Sequence, residues 1–260
     1  MTPASRRDFL QQAGMAAVAV ALGLTTTAAR QAGITVLSGN GARVAVAELA
    51  RQFEQKTGRR VTVTFAVNPE VQRRIEAGAS CDVAILNPPV LDALIAQRKV
   101  VAGSRAVLGR SGIGMGMREG APTPDISTVD AFKRTLLNAK SIAYPGEGAS
   151  GQYFVSLVDR LGLSSQLKSK MRPMPGEYNV EIVAEGGAEY VVVVASRITG
   201  VKGVQLIGRI PQELQTWIGF TGGVCSTARE PQAARDLLRF FTAPPAARVF
   251  ETAGIEPFVE

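Results

Sequence analysis

The strongest constraint on the fold is an alternation of short apolar runs with helical patterns. Ile34-Thr35-Val36-Leu37, Val61-Thr62-Val63-Thr64-Phe65 and Asp82-Val83-Ala84-Ile85-Leu86 read as strands. After the first, apolar residues recur at helical spacing (Val44, Ala47, Leu49, Ala50, Phe53), and Gly58 ends that helix. Pro69–Ala77 and Val90–Gln97 read as two more helices. This alternation predicts an α/β chain with a parallel sheet flanked by helices. A second unit follows. It has an extended Ile113–Met117, a helix over Asp130–Asn138, a strand over Ser141–Tyr144, a helix over Gln152–Leu161 and a buried strand over Tyr190–Ala195. Ile207–Thr227 is extended again, and Pro231–Phe241 and Pro245–Thr252 are closing helices. A chain of 260 residues suits one large domain or two lobes.

The first 29 residues read as a Tat-type signal peptide. Ser5-Arg6-Arg7-Asp8-Phe9-Leu10 precedes the apolar run Gly14–Leu24 and the small residues Thr27-Ala28-Ala29. That apolar run is too short to span a bilayer. The mature chain is therefore expected in the periplasm. Cys81 and Cys225 read as buried free thiols in preference to a disulfide, since each falls in an apolar pattern and nothing in their spacing pairs them.

Composition narrows the chemistry. The chain has no histidine, which excludes a Ser-His-Asp triad, a Cys-His pair, a His-bound zinc and an imidazole shuttle. We expect no metal and no cofactor. The net charge of +7 favours anionic ligands. No basic run carries interleaved aromatics, so nucleic acid is not an expected partner.

Ligands on such sheets bind beyond the carboxyl ends of the strands. Those ends are Ser38–Arg43, Ala66–Pro69 and Asn87–Pro89, all small and polar. Ser38-Gly39-Asn40-Gly41 leads into a helix start, where free N–H groups and the helix dipole favour an anion. Arg43 would add a bidentate grip on a carboxylate, or else point to solvent. Gly146-Glu147-Gly148-Ala149-Ser150-Gly151-Gln152 precedes another helix with the same logic. Ser38 and Ser150 also fit plainer roles, finishing a strand and capping a helix. Neither loop matches a phosphate loop or a dinucleotide fingerprint.

Residues 33–258 resemble periplasmic solute-binding proteins of the molybdate-binding-protein-like family. The resemblance is carried by the Ser38 loop, Gln52-Phe53-Glu54-Gln55-Lys56-Thr57-Gly58, Ile75-Glu76-Ala77-Gly78 before Cys81-Asp82-Val83, Arg229–Arg235 through Phe240-Phe241-Thr242, and Gly254-Ile255-Glu256-Pro257. It implies a type II fold of two lobes, each a mainly parallel sheet flanked by helices, with a cleft between them. Residues 30–111 plus 216–260 would form lobe 1, and 112–215 lobe 2. The stretch Gly114–Arg134, followed by Ala139–Tyr144, is similar to a carboxylate-handling branch that includes bacterial aconitate isomerase, and Arg43 matches an arginine of that branch.

Molybdate binders of the family use hydroxyls in the second strand loop and a tyrosine in the second lobe. Here Val67-Asn68-Pro69 and Ala195-Ser196-Arg197 stand at those places. A dehydrated oxyanion needs every oxygen hydrogen-bonded, and extra Arg and Asn donors suit a larger carboxylate. The expected ligand-binding set is Ser38, Gly39, Asn40, Gly41, Arg43, Asn68, Asn87, Ser150, Gly151, Gln152, Asn179, Val180 and Ser196. The expected activity is capture of a small anion by a monomeric receptor for an ABC-type membrane permease. The alternative is an aconitate isomerase-like enzyme with no cofactor. It would take its acid/base group from Glu147, Tyr153, Tyr178 or Glu181, with Glu147 or Tyr153 foremost. Glu147 also reads as a solvated loop carboxylate, and Tyr153 as a packing residue.

Overall fold

The computed structural model describes residues 32–175 and 180–257. The signal-peptide reading of residues 1–29 and the expectations for Tyr178 and Asn179 lie outside the described residues.

The chain opens with β1 (Ile34–Gly39), α1 (Arg43–Thr57), β2 (Val61–Ala66), α2 (Asn68–Glu76), β3 (Val83–Leu86) and α3 (Pro88–Ala96). Gly58 ends α1 in the left-handed region, as its position suggested. Next come β4 (Ala106–Arg118), α4 (Val129–Asn138), β5 (Ile142–Pro145), α5 (Ala149–Arg160), α6 (Ser164–Leu167) and β6 (Met171–Met174). The Thr128 hydroxyl accepts a hydrogen bond from the Ala131 N–H and caps α4. The chain closes with α7 (Glu181–Ala184), β7 (Tyr190–Val194), α8 (Ala195–Ile198), β8 (Val204–Arg209), β9 (Trp217–Val224), α9 (Pro231–Thr242) and α10 (Pro244–Thr252).

The strands follow the order β2-β1-β3-β9-β4-β7-β5-β6, with β8 also paired to β4. In the first half β2, β1 and β3 are parallel, and β9 runs antiparallel to β3. In the second half β6, β5 and β7 are parallel, and β4 runs antiparallel to β7. The halves meet along β4, whose Ala106–Gly112 segment pairs with β9 while Ile113–Met117 pairs with β7. Gln215 bridges the point of change. Its Nε2 donates to the Ile113 carbonyl and its Oε1 accepts from the Ile113 N–H. Bare backbone at Gly109 also matters, because a Cβ there would lie 2.5 Å from the Glu256 carbonyl oxygen.

Burial explains the continuous apolar runs. Val36 and Leu37 of β1 face different hydrophobic clusters, as do Val191 and Val192 of β7. Strands covered on both faces need no polar alternation. Two strands differ from the sequence pattern. β4 starts at Ala106, well before Ile113, because Gly109, Arg110 and Ser111 interrupt its apolar alternation. β6 carries Arg172 and Pro173 and bonds to β5 on one side only, so it has the edge composition that hides a strand.

The free-thiol expectation is corrected. Cys81 and Cys225 form a disulfide, with Cα atoms 5.8 Å apart. Antiparallel pairing of Val83 with Val224 brings the flanking cysteines face to face. The partnership depends on a strand crossing that local sequence does not reveal. Asp82, buried beside Cys81, accepts hydrogen bonds from the Thr35 and Arg229 N–H groups and fastens the same corner.

Candidate functional site

The parallel strands of the first half end together, which sets three asparagines side by side. Asn40 follows β1, Asn68 opens α2 after β2, and Asn87 precedes α3 after β3. Asn68 Oδ1 accepts the Asn87 N–H at 3.0 Å, and Asn87 Nδ2 donates to the Gly219 carbonyl at 2.8 Å. Gly41 permits close packing here, since a Cβ would meet the Phe220 ring at 2.6 Å. The Arg43 guanidinium donates to Asn40 Oδ1 at 3.1 Å and lies over the Phe65 ring, 4.6 Å from its centroid.

The second half supplies the facing wall. β5 ends at Pro145, Gly148 turns with φ of 93°, and α5 starts at Ala149. Glu147 and Ser150 stand at that helix start, whose free N–H groups and dipole favour negative charge. β7 leads directly into α8, which carries Arg197 at 7% exposure. Arg197 is paired with Glu181 at 2.6 Å. Partial burial pushes the Glu181 carboxyl up, but hydrogen bonds from Arg197 and the backbone outweigh it and hold the group below its usual range. Ser196 joins the two walls by donating to the Gly41 carbonyl at 2.7 Å.

Between the walls lies a cavity of about 60 Å³. Asn40, Gly41, Asn68 and Asn87 line it from the first half, and Glu147, Ser150, Val194 and Arg197 from the second. Ile218 and Phe220 of β9 also contribute. Its size fits a few water molecules or a small ligand. Its polar lining is mostly neutral amides and a hydroxyl, with one buried guanidinium, Arg197, and one carboxylate, Glu147.

The sequence model described as "Bacterial extracellular solute-binding protein" matches residues 34–256. The chain belongs to that family. An aconitate isomerase from Pseudomonas sp is 34% identical to this solute-binding protein over 230 residues, covering 86% of this chain and 87% of the relative. The molybdate-binding protein ModA of Azotobacter vinelandii is 25% identical over 243 residues, covering 91% and 95%. The solved structure of an Azotobacter vinelandii periplasmic molybdate-binding protein matches with a TM-score of 0.74 at 18% identity, covering 87% of this chain and all of that one. The match places the solute-binding protein in the two-lobed type II fold.

Of the residues expected at the site, Asn40, Gly41, Asn68, Asn87 and Ser150 line one cavity together with Glu147. The other described residues of the set sit elsewhere. Ser38 is fully buried at the end of β1, and its hydroxyl donates to the Gly39 carbonyl. Gly39 packs against the Asn68 amide. Arg43 is turned to Asn40 and Phe65 and does not line the cavity. Gly151 and Gln152 border a separate groove with Tyr144 and Ser156. Val180 belongs to the hydrophobic core. Ser196 is spent on the Gly41 carbonyl. Tyr153 donates to the Leu214 carbonyl at 2.6 Å and stacks with Arg160, which is a packing role.

Sequence reasoning missed Arg197 as a cavity residue. Its signal was present, because a base three positions after the apolar run Tyr190–Val194 stands just beyond a strand's carboxyl end. Reading Ala195-Ser196-Arg197 only as the replacement of a tyrosine concealed it.

Proposed function

We propose that this protein captures a small organic carboxylate in the cavity between its two sheet halves and delivers it to an ABC-type permease after Tat export. One observation carries the reading: buried Arg197, the side-chain amides of Asn40, Asn68 and Asn87, and the start of α5 with Ser150 all border the same small cavity. A guanidinium fork fits a carboxylate, and amide and backbone donors complete the shell of its oxygens. The division into lobes at residues 30–111 plus 216–260 and 112–215 is part of this proposal, supported by the change of partners along β4 at Gly112–Ile113. Hinge closure of the lobes would then seal the ligand. We expect a monomer.

The test is a thermal-shift and calorimetric screen of the purified chain against trans-aconitate, citrate, malate, sulfate and molybdate. Saturable binding of a carboxylate with a rise in Tm supports the proposal. Binding of molybdate or sulfate alone overturns the carboxylate assignment.

A second reading is favoured by the 34% identity to an aconitate isomerase and by Glu147, the one carboxylate among the described lining residues. Allylic isomerisation removes a proton from one carbon, shifts the double bond and returns a proton at the far carbon, so one acid/base group suffices. Glu147 is the residue positioned for that task. Incubation with trans-aconitate, followed by assay of cis-aconitate, separates the readings. Turnover overturns the passive receptor, and binding without turnover overturns the isomerase for that substrate.

A further inference from the structure

Asn40 is nine-tenths buried, lines the cavity, and its Nδ2 has no hydrogen-bond partner among the described residues. Buried donors in native proteins are nearly always paired, so an unmet one at a cleft points to a ligand acceptor. The direction of this amide is fixed by chemistry. A guanidinium can only donate, so the atom meeting Arg43 at 3.1 Å must be the carbonyl oxygen Oδ1. Asn40 lines the cavity and Arg43 does not, so with Oδ1 held by Arg43 the donor left unmet at this edge of the cavity is Nδ2. Stacking of Arg43 on Phe65 holds the guanidinium in place.

We infer that Asn40 Nδ2 is a donor to a ligand oxygen, and that Arg43 is its positioning residue rather than a ligand clamp. The pair makes a subsite that accepts an oxygen bearing lone pairs, carboxylate or oxyanion, and rejects a group that can only donate. This rests on the reading of the cavity as an anion site, and it deepens that reading by separating the two residues' roles.

The test is a double-mutant cycle on binding, read by calorimetry with trans-aconitate and citrate, and with sulfate and molybdate in parallel. Asn40→Ala should weaken binding about 10–100-fold, the usual cost of one hydrogen bond to a charged acceptor. Arg43→Ala frees the amide to rotate and should weaken binding less. The double variant should be no weaker than Asn40→Ala alone. Arg43→Lys, which also donates to Oδ1, should restore most of the affinity, whereas a bidentate clamp would not tolerate it. Asn40→Asp should keep its contact with Arg43 and its Tm yet lose anion binding, because an acceptor replaces the donor.

Additive losses, or an Asn40→Ala variant with unchanged affinity, overturn the inference. If carboxylates fail and an oxyanion binds, the carboxylate proposal falls, while the cycle is read on that oxyanion and decides this inference separately. If nothing in the series binds, both fall.

Discussion

The two walls of the cavity solve the same problem by different means. The first half offers neutral amides: Asn68 is tied to the Asn87 backbone, and Asn87 to the Gly219 carbonyl. The second half offers a charge, Arg197, balanced by Glu181 and set beside a helix start. Amides held by backbone bonds give shape and orientation at little desolvation cost. Burying one member of an ion pair is costly, but the guanidinium it holds needs little reorganisation when an anion arrives. The first wall should therefore govern which ligand fits, and the second how tightly it is held.

The largest effect should come from the charged wall. Arg197→Ala leaves Glu181 half-buried without its cation and removes the only guanidinium among the described lining residues. Loss of one partner from a buried charge contact costs about 2–5 kcal/mol of binding, so carboxylate affinity should drop at least tenfold in calorimetry. Asn68→Ala, on the neutral wall, removes the acceptor of the Asn87 N–H and should cost about 1 kcal/mol of affinity by loosening that wall, the size of one neutral hydrogen bond. Equal losses at the two positions would break the contrast.

The halves also differ in how they are fastened. Among the described residues the disulfide belongs to the first half alone, where Cys81 and Cys225 tie the start of β3 to the end of β9. The loop it closes spans 144 positions and includes the second half. Cross-links of this kind stabilise by about 2–5 kcal/mol, chiefly by restricting the unfolded chain. Cys81→Ser with Cys225→Ser, or added reductant, should lower Tm by several degrees and leave carboxylate affinity nearly unchanged. A large loss of affinity would show that the cross-link also sets the geometry of the cavity.

The same contrast explains what the sequence disclosed. Strands covered on both faces, such as Tyr190–Val194, announced themselves by unbroken apolar runs, and loops at the ends of β1, β2 and β3 could be located from them. Thus Asn40, Asn68 and Asn87 were legible. Edge strand β6 was not, because an exposed strand with Arg172 and Pro173 has no apolar signature. Arg43 was read as a ligand grip, and in the structure its guanidinium meets Asn40 Oδ1 and the Phe65 ring. A basic residue at a helix start reads the same whether it faces a ligand or a neighbouring amide. Cys225 depends on a crossing between distant strands, which local pattern does not encode, whereas Arg197 was hidden only by reading Ala195-Ser196-Arg197 as a tyrosine's replacement.

A smaller effect tests whether the ion pair also supports the fold. The Glu181 carboxyl titrates below its ordinary value of about 4.3, so its contribution to stability is complete above that value and fades as pH falls through the lowered one. Glu181→Gln should therefore flatten the acid limb of a Tm-against-pH curve below about pH 4. Identical curves for variant and parent would mean that the pair serves the ligand alone.

The smallest effect concerns a residue beside the charged wall that should not touch ligand at all. Tyr153 lies one turn along the helix that starts at Ala149, but its hydroxyl donates to the Leu214 carbonyl and accepts from Arg160. Tyr153→Phe removes those bonds and leaves the ring's packing, so stability should fall by about 1 kcal/mol in chemical denaturation. Neither carboxylate affinity nor any turnover of trans-aconitate should change. Loss of turnover with stability preserved would move the acid/base role from Glu147 to Tyr153, and would place chemistry where the geometry shows only packing.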